Sequence, residues 1–432
     1  MLGGGNFTSY DKVLPGAYIN FVNAAAAGPV LSERGTAAVP LVLDWGAEQE
    51  VMEVTAQEFR NHCFDLFGYS LSDPQMKPLR ELFQNLTKGV FYRMNTGAKA
   101  SNDYAEARYS GKRGNDMVTV VSKDVNDPDK YVVRTLLGGN EVDRQTVAAA
   151  GELADNGFAV FKKDAELAET AGAPLTGGTD GEGVTGADYG KFLAKMESCS
   201  FNTLCCPSDS QEVKALFAAY TRRLRDEAGV KFQTVVYRYT EADHEGIISV
   251  ENKAKELETG LVYWVTGAAA ACPINRSNTN RKYDGEYTVD TDYTQIQLAD
   301  GIGQGKLLLH RVGSDVRILE DINTLVTYSE EKGSSFADNQ TVRVLDQMGN
   351  DIASLFNTRY LGTVPNDEAG RISLWNDVVS YQKELVRLRA VEEFDAKEIT
   401  VGAGNGKKSV VVNCPVTPIN CMSQLYMTVV VD

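Results

Sequence analysis

The sequence predicts a mixed α/β and α+β multidomain protein, with two α/β blocks, an inserted β-rich domain and extended β-strand arms at both termini. Three observations predict it. At 432 residues the chain exceeds what one hydrophobic core supports, so about two to four domains are expected. Helix and strand periods alternate on either side of a stretch of short apolar runs broken by Gly, Asn and Asp. Alternating apolar segments stand at both ends with nothing nearby to pair with them.

The first of these segments is PGAYINFVNAAAAG, Pro15 to Gly28, behind the lead MLGGGNFTSYDKVL. Ala17, Ile19 and Phe21 alternate with Tyr18, Asn20 and Val22, a strand period, while Gly3, Gly4 and Gly5 carry a large ordering entropy. ERGTAAVPLVLDWG, Glu33 to Gly46, reads as a buried strand closing on a turn. MEVTAQEFRNHCFDLFGY reads as a helix with Phe59, Cys63, Phe64 and Phe67 on one face, Thr55 as N-cap and Glu58 completing the box. A second helix over about Pro78 to Leu86 leads into the strand GVFYRMN.

From Ala105 to about Leu175 the composition shifts. Val118, Val120 and the Tyr131 to Val133 run, separated by the turn text DVNDPDK, predict antiparallel strands of an inserted domain. Its far border, LTGGTDGEGVTGADYGKF, reads as a Gly-rich linker. Ser208 with Gln211 suggests a capping box opening an amphipathic helix on Val213, Leu216, Phe217, Tyr220 and Leu224, which Gly229 ends. KFQTVVYRY and GIISVEN follow as strands, and GLVYWVTGAAAA as a buried helix. Beyond Phe336 come two long helices, the second with the stripe Ile372, Trp375, Val378, Val379, Leu385, Val386 and Leu388.

After EITVGAG and KKSVVVNCP, the sequence closes on SQLYMTVVVD. Leu425, Met427, Val429 and Val431 face one way, and Tyr426, Thr428 and Val430 the other. A bare apolar edge is a hazard unless pairing consumes it. The two terminal segments pair either with the body of their own chain or with a neighbouring copy, by strand addition. The sequence alone leaves both open.

Composition narrows the function. Hydrophobic residues make up 43% and charged residues 24%, a globular balance. The net charge of −16 argues against a general nucleic-acid or anionic-membrane surface; YTRRLRDEAG and GNGKKS are the noteworthy basic clusters, and both read as solvated faces. No run approaches the ~20 apolar residues of a membrane helix, and the N-terminus lacks the pattern of a signal peptide, so cytoplasmic synthesis is expected. Seven scattered cysteines without a CxxC pair argue against a disulfide framework or a zinc site.

Catalytic patterns are weak. TGGTDGEGVTG lacks the Lys-Ser/Thr of a phosphate loop, and GIGQGKLL, Gly301 to Leu308, puts Leu307 where the magnesium-binding hydroxyl belongs. His62 beside Cys63 is a poor dyad, because helix neighbours point apart. His244 and His310 stand isolated, and Asp243–Glu245 and Glu286–Tyr293 read as solvated acidic faces. No catalytic residue, metal or cofactor is expected.

The ordered set PGAYINF, ERGTAAVPL, ARYSGKRGND, LTGGTDG, DINTLVTY and the closing helices and strand resembles the contractile tail sheath proteins of phages and phage-tail-like bacteriocins, in the form of Gram-positive prophages. The resemblance implies a structural polymer rather than an enzyme: hexameric discs stacked in a helical sheath around a tail tube, contracting to drive the tube through a cell envelope. Its implied partners are other copies of itself, the tube protein, and baseplate and terminator proteins, without direct nucleic-acid contact or membrane insertion. It implies assembly in the bacterial cytoplasm and residence in a virion tail or tail-like particle. The expected layout is an N-terminal arm over 1–24, a discontinuous α/β domain over 25–94 and 176–335, an outer β-rich insert over 95–175, a C-terminal α/β domain over 336–416 and a strand arm over 417–432. The inter-subunit residues expected are Ala17, Tyr18, Ile19, Asn20, Phe21 and Val22 at one end, and Leu425, Tyr426, Met427, Thr428, Val429, Val430 and Val431 at the other. The alternatives are a tube or capsid protein, and a nucleotide-dependent α/β enzyme.

Overall fold

The computed structural model describes residues 31–431. The Pro15–Gly28 segment, with Ala17 to Val22, lies outside the described residues. The chain divides into two compact units, one built around Gln347–Asn420 and the other around Glu33–Asp346, with the segment from Cys421 onward counted to the second.

The larger unit opens with β1 (Thr36–Leu41), β2 (Val51–Thr55), α1 (Ala56–Phe67), α2 (Lys77–Phe83) and β3 (Lys88–Arg93). The capping box at Thr55 and Glu58 is present, and it sets the start of α1; the residues just before it, Val51 to Val54, are strand rather than helix. Gly68 ends α1 in the left-handed region at φ 71°, where a Cβ would fall 2.8 Å from the Trp45 indole.

The insert follows: β4 (Ala105–Ala107), β5 (Met117–Lys123), β6 (Tyr131–Leu137), β7 (Asn140–Val147), β8 (Ala159–Phe161) and β9 (Thr170–Pro174). β5 and β6 pair antiparallel in the register Val121↔Val133, inside a four-stranded sheet of order β7-β6-β5-β9, with β4-β8 as a second small sheet. Met117, Val121, Val133, Phe158 and Phe161 close a core between them, reached by Trp45 from outside the insert.

The main sheet then resumes with α3 (Gly186–Met196), β10 (Thr203–Cys206), α4 (Gln211–Arg222), β11 (Gln233–Tyr237), β12 (Ile247–Val250), α5 (Gly260–Ala271), α6 (Gln295–Gly303) and β13 (Lys306–Leu307). Two expectations change here. The end of the expected linker is α3, because Thr185 and Asp188 form a capping box that nucleates it. Ser210, not Ser208, caps α4, with its hydroxyl accepting from the Val213 N–H.

The seven strands order as β13-β12-β11-β10-β1-β3-β2, all parallel except β2. Parallel sheets are buried on both faces, so alternate residues must feed two cores. Ala37, Val39, Phe91, Cys205, Val235 and Ile248 enter the core beneath α1, α2 and α5, while Ala38, Val90, Leu204, Cys206, Val236 and Ile247 enter the one beneath α3 and α4. β14 (Leu309–Val312) and β15 (Asp315–Ile318) form a hairpin beside this sheet.

α7 (Asn339–Leu355) contains the division between the units. In the smaller unit α8 (Glu368–Arg387) is followed by the antiparallel pair β16 (Thr400–Ala403) and β17 (Val410–Asn413). α8 buries Leu374, Val378, Val379 and Leu385, but Ile372, expected on that stripe, is 53% exposed.

Gly267 marks a close contact between α5 and α2. A Cβ there would stand 2.3 Å from the Leu82 carbonyl oxygen of α2. Gly267→Ala is expected to lower stability by about 1–3 kcal/mol from overpacking, despite the roughly 1 kcal/mol that alanine gains as a helix former. Denaturant unfolding checks this; an unchanged or higher midpoint contradicts it.

Candidate assembly interface

The last segment starts from an anchor. The Cys421 N–H donates to the Gln340 side-chain oxygen at 2.9 Å, and its thiol faces the Asn275 carbonyl. Beyond it, Met422 to Val431 belongs to no helix or strand, with Leu425 85%, Tyr426 88% and Val430 83% exposed. Leu425, Tyr426, Met427, Thr428, Val429, Val430 and Val431 therefore all face solvent. A strand exists only as a paired element, and this one finds no ladder partner among the described residues. Burying each Leu, Met or Val would contribute about 1.5–3 kcal/mol.

A second incomplete element is the β16–β17 hairpin. Its register runs from Thr400↔Asn413 to Ala403↔Val410, and no third strand among the described residues joins either edge. Ile399, Val401 and Val410 pack toward Phe356, Trp375 and Val379, and the Trp375 indole N–H donates to the Ile399 carbonyl at 2.8 Å. Val411 and Val412 stay 58% and 38% exposed. Two strands alone are marginal, and added strands complete such a sheet.

The positions tested for chemistry are otherwise occupied. The Gly178 N–H donates to the Asn115 side chain at 2.8 Å and the Thr179 N–H to the Ala98 carbonyl at 3.0 Å, so this glycine-rich segment straps the insert instead of presenting free N–H groups. The Lys306 ammonium lies 3.7 Å from Glu251. His62 is exposed beside Asp65, and burial, with Asp73 nearby, pushes the Cys63 thiol up to about 12, away from the thiolate a nucleophile needs.

The Asp243–Glu245 stretch departs from its expected solvated face, for His244 and Glu245 are 5% and 4% exposed. The His244 Nε2–H donates to Asp226 at 3.1 Å, while Nδ1 accepts the Gly246 N–H at 2.9 Å. Lys332 Nζ lies 2.9 Å from Glu245, and Arg225 makes two bonds to Asp346 at 2.7 and 2.8 Å. Asp226, His244 and Glu245 converge closely enough to suggest a metal site. The tautomer opposes it: with Nδ1 held by a backbone N–H, the proton sits on the nitrogen that would have to coordinate, and Lys332 already supplies the cation. The cluster is structural. In sequence its sign was the placement of charges directly before the fully buried strand GIISV, a position that puts them at the rim of the sheet.

A two-faced α/β sheet with a β insert, an exposed apolar tail segment and a two-stranded hairpin together define a mixed α/β multidomain class. Four family matches agree: the tail sheath protein Gp18 domain III N-terminal region over residues 34–93, the phage tail sheath protein beta-sandwich domain over 95–180, the phage tail sheath protein central domain over 182–324 and the phage tail sheath C-terminal domain over 331–432. The phage-like element PBSX protein XkdK of Bacillus subtilis is 32% identical across 100% of both chains. A crystal structure of a sheath tail protein from Desulfitobacterium hafniense shares 34% identity, covering 93% of this chain and 96% of that one, at a TM-score of 0.82. The helical sheath of the anti-feeding prophage, in its contracted state, shares the fold at 11% identity, covering 98% of this chain and 100% of that one, with a TM-score of 0.57. The chain belongs to the phage tail sheath family, of Gram-positive prophage type, which is a structural family and not an enzyme family.

The buried imidazole gives a pH dependence. Burial pushes His244 below its usual value of 6.5, against the pull of Glu245 and Asp226, with Arg225 reinforcing the neutral form. The unfolded chain then binds this proton first, so the contribution is full above about pH 6.5 and is lost as pH falls below it. Burial pushes Glu245 and Asp226 up, but His244 and Lys332 hold both carboxyls below their usual values, so their contribution fades only at lower pH. Thermal midpoints are expected to fall between pH 7 and 5, more shallowly in His244→Gln; parallel slopes contradict the assignment, since burial also depresses His310 but equally in both proteins.

Proposed function

We propose that this chain is the repeating subunit of a contractile sheath whose lattice is held by strand exchange. The observation that carries this reading is the apolar segment Leu425–Val431, exposed and without a ladder partner among the described residues. At about 3.3 Å per extended residue, the stretch from Cys421 reaches on the order of 35 Å, enough to cross to an adjoining molecule. The unfinished β16–β17 sheet is a fitting acceptor on that molecule. On this reading the N-terminal segment, Ala17 to Val22, is a second donated strand. A contact that does not close on itself generates an open helix of subunits, and backbone ladders tether bodies that then move as rigid units.

In the proposed particle the subunits stack as hexameric discs around a tail tube, between baseplate and terminator proteins, after assembly in the host cytoplasm. The insert over 95–175 is the outer domain, with 25–94 and 176–335, 336–416, and the arms 1–24 and 417–432 as the remaining parts. Contraction needs no nucleotide here. A packing that buries 100 Å² more apolar surface per subunit releases roughly 2.5 kcal/mol for each one, summed over the whole lattice. The two packings are alternative arrangements of one chain, and a trigger at one end tips the balance.

Removing Met422–Asp432 is expected to leave a folded chain that stays monomeric in sedimentation and forms no tubes under negative stain, while the intact chain forms them. Tubes of normal length from the truncated chain contradict strand exchange, and loss of folding assigns the segment to its own domain.

A further inference from the structure

The basic cluster GNGKKS gains a setting in the structure. Lys407 and Lys408 stand exposed on the turn between β16 and β17, and among the described residues no carboxylate pairs with either. They edge a cleft of about 550 Å³ beside the start of β17. Its floor is apolar, with Tyr360 and Leu374 buried and Val364 half-exposed at the wall, and Arg371 completes a basic rim. The Arg371 guanidinium is oriented by the Asn366 carbonyl and side-chain oxygens, both at 3.1 Å. Three clustered cations over an apolar floor, in a chain of net charge −16, fit a segment that is apolar and then acidic.

We propose that this cleft receives the Val429–Asp432 end of a neighbouring copy's tail, with the Asp432 carboxylate among Arg371, Lys407 and Lys408. The inference rests on the strand-exchange reading and adds a direction to it. β17 begins at the cleft with Val410 and runs away from it to Asn413. A strand added antiparallel to β17 therefore runs toward the cleft and delivers its last residues there, so Val429 to Val431 meet the apolar floor and Asp432 meets the rim. A parallel strand would carry Asp432 away from all three cations. The lysine pair thus selects one orientation of the incoming strand and rejects the other through charge.

Charge exchange in the full chain tests it. K407E/K408E and D432K are each expected to raise the protein concentration needed for tube formation about tenfold, read by light scattering and negative stain. A mixture of the two chains should assemble again near the wild-type concentration, because the reversed tail of one fits the reversed cleft of the other. Rescue only within the triple variant K407E/K408E/D432K places the contact inside one chain and overturns the neighbouring copy as occupant. No rescue in either, with the tail still required for assembly, overturns the cleft docking and leaves strand exchange standing; assembly that ignores tail deletion overturns both.

Discussion

Backbone hydrogen bonding between strands is the constraint on which the rest depends. A strand satisfies its N–H and C=O groups only through a neighbour, and an apolar strand left without one exposes both its ladder and its side chains. The main sheet meets that demand internally, since β1 has β10 on one side and β3 on the other. Among the described residues, the segment Leu425–Val431 does not. Leu425 to Val431 carries the composition of a strand and the exposure of a loop, and the β16–β17 pair carries the complementary deficit. On the strand-exchange reading proposed above, such a protein would complete its secondary structure by association, making subunit contacts as directional as those inside a sheet.

The buried charges of the larger unit make sense in that light. Arg343 and Asp321 meet at 2.7 Å, 0% and 1% exposed; the Asn278 N–H donates to the same carboxylate oxygen, Oδ2, and the Asn339 amide to the other, Oδ1. Burial pushes the Asp321 carboxyl up, and the Arg343 guanidinium with these donors more than reverses it, leaving it below its usual value. Breaking such a pair leaves an uncompensated buried charge and costs about 3–5 kcal/mol, whereas its net contribution when intact is small. These pairs fix geometry more than they add stability. The Arg225–Asp346 pair, also buried, works the same way at the rim of the sheet.

Most of the fold was legible where local chemistry decides the outcome. The Thr55–Glu58 box, the Gly229 stop at φ 75° and the Val118–Val133 antiparallel strands all follow from neighbours in sequence. Legibility failed where tertiary context decides. Ser208 and Ser210 are equivalent candidates until the helix axis chooses one, and the glycines before α3 hid a capping box at Thr185. Asp243 to Glu245 reads as polar surface until the sheet edge closes over it. The candidate interface was half legible: alternation marked Leu425 to Val431 as a strand, but the absence of a mate among the described residues is a three-dimensional fact. The apolar floor beneath Lys407 and Lys408 is another, since Tyr360 and Leu374 reach it from different elements.

A cryo-microscopy reconstruction of the assembled tube, at a resolution that traces backbone, tests the central claim most directly. The account predicts that Leu425–Val431 becomes a strand hydrogen-bonded to an adjoining subunit, antiparallel to Val410–Asn413. Finding that segment laddered to its own polypeptide, or unpaired in the intact lattice, would contradict it.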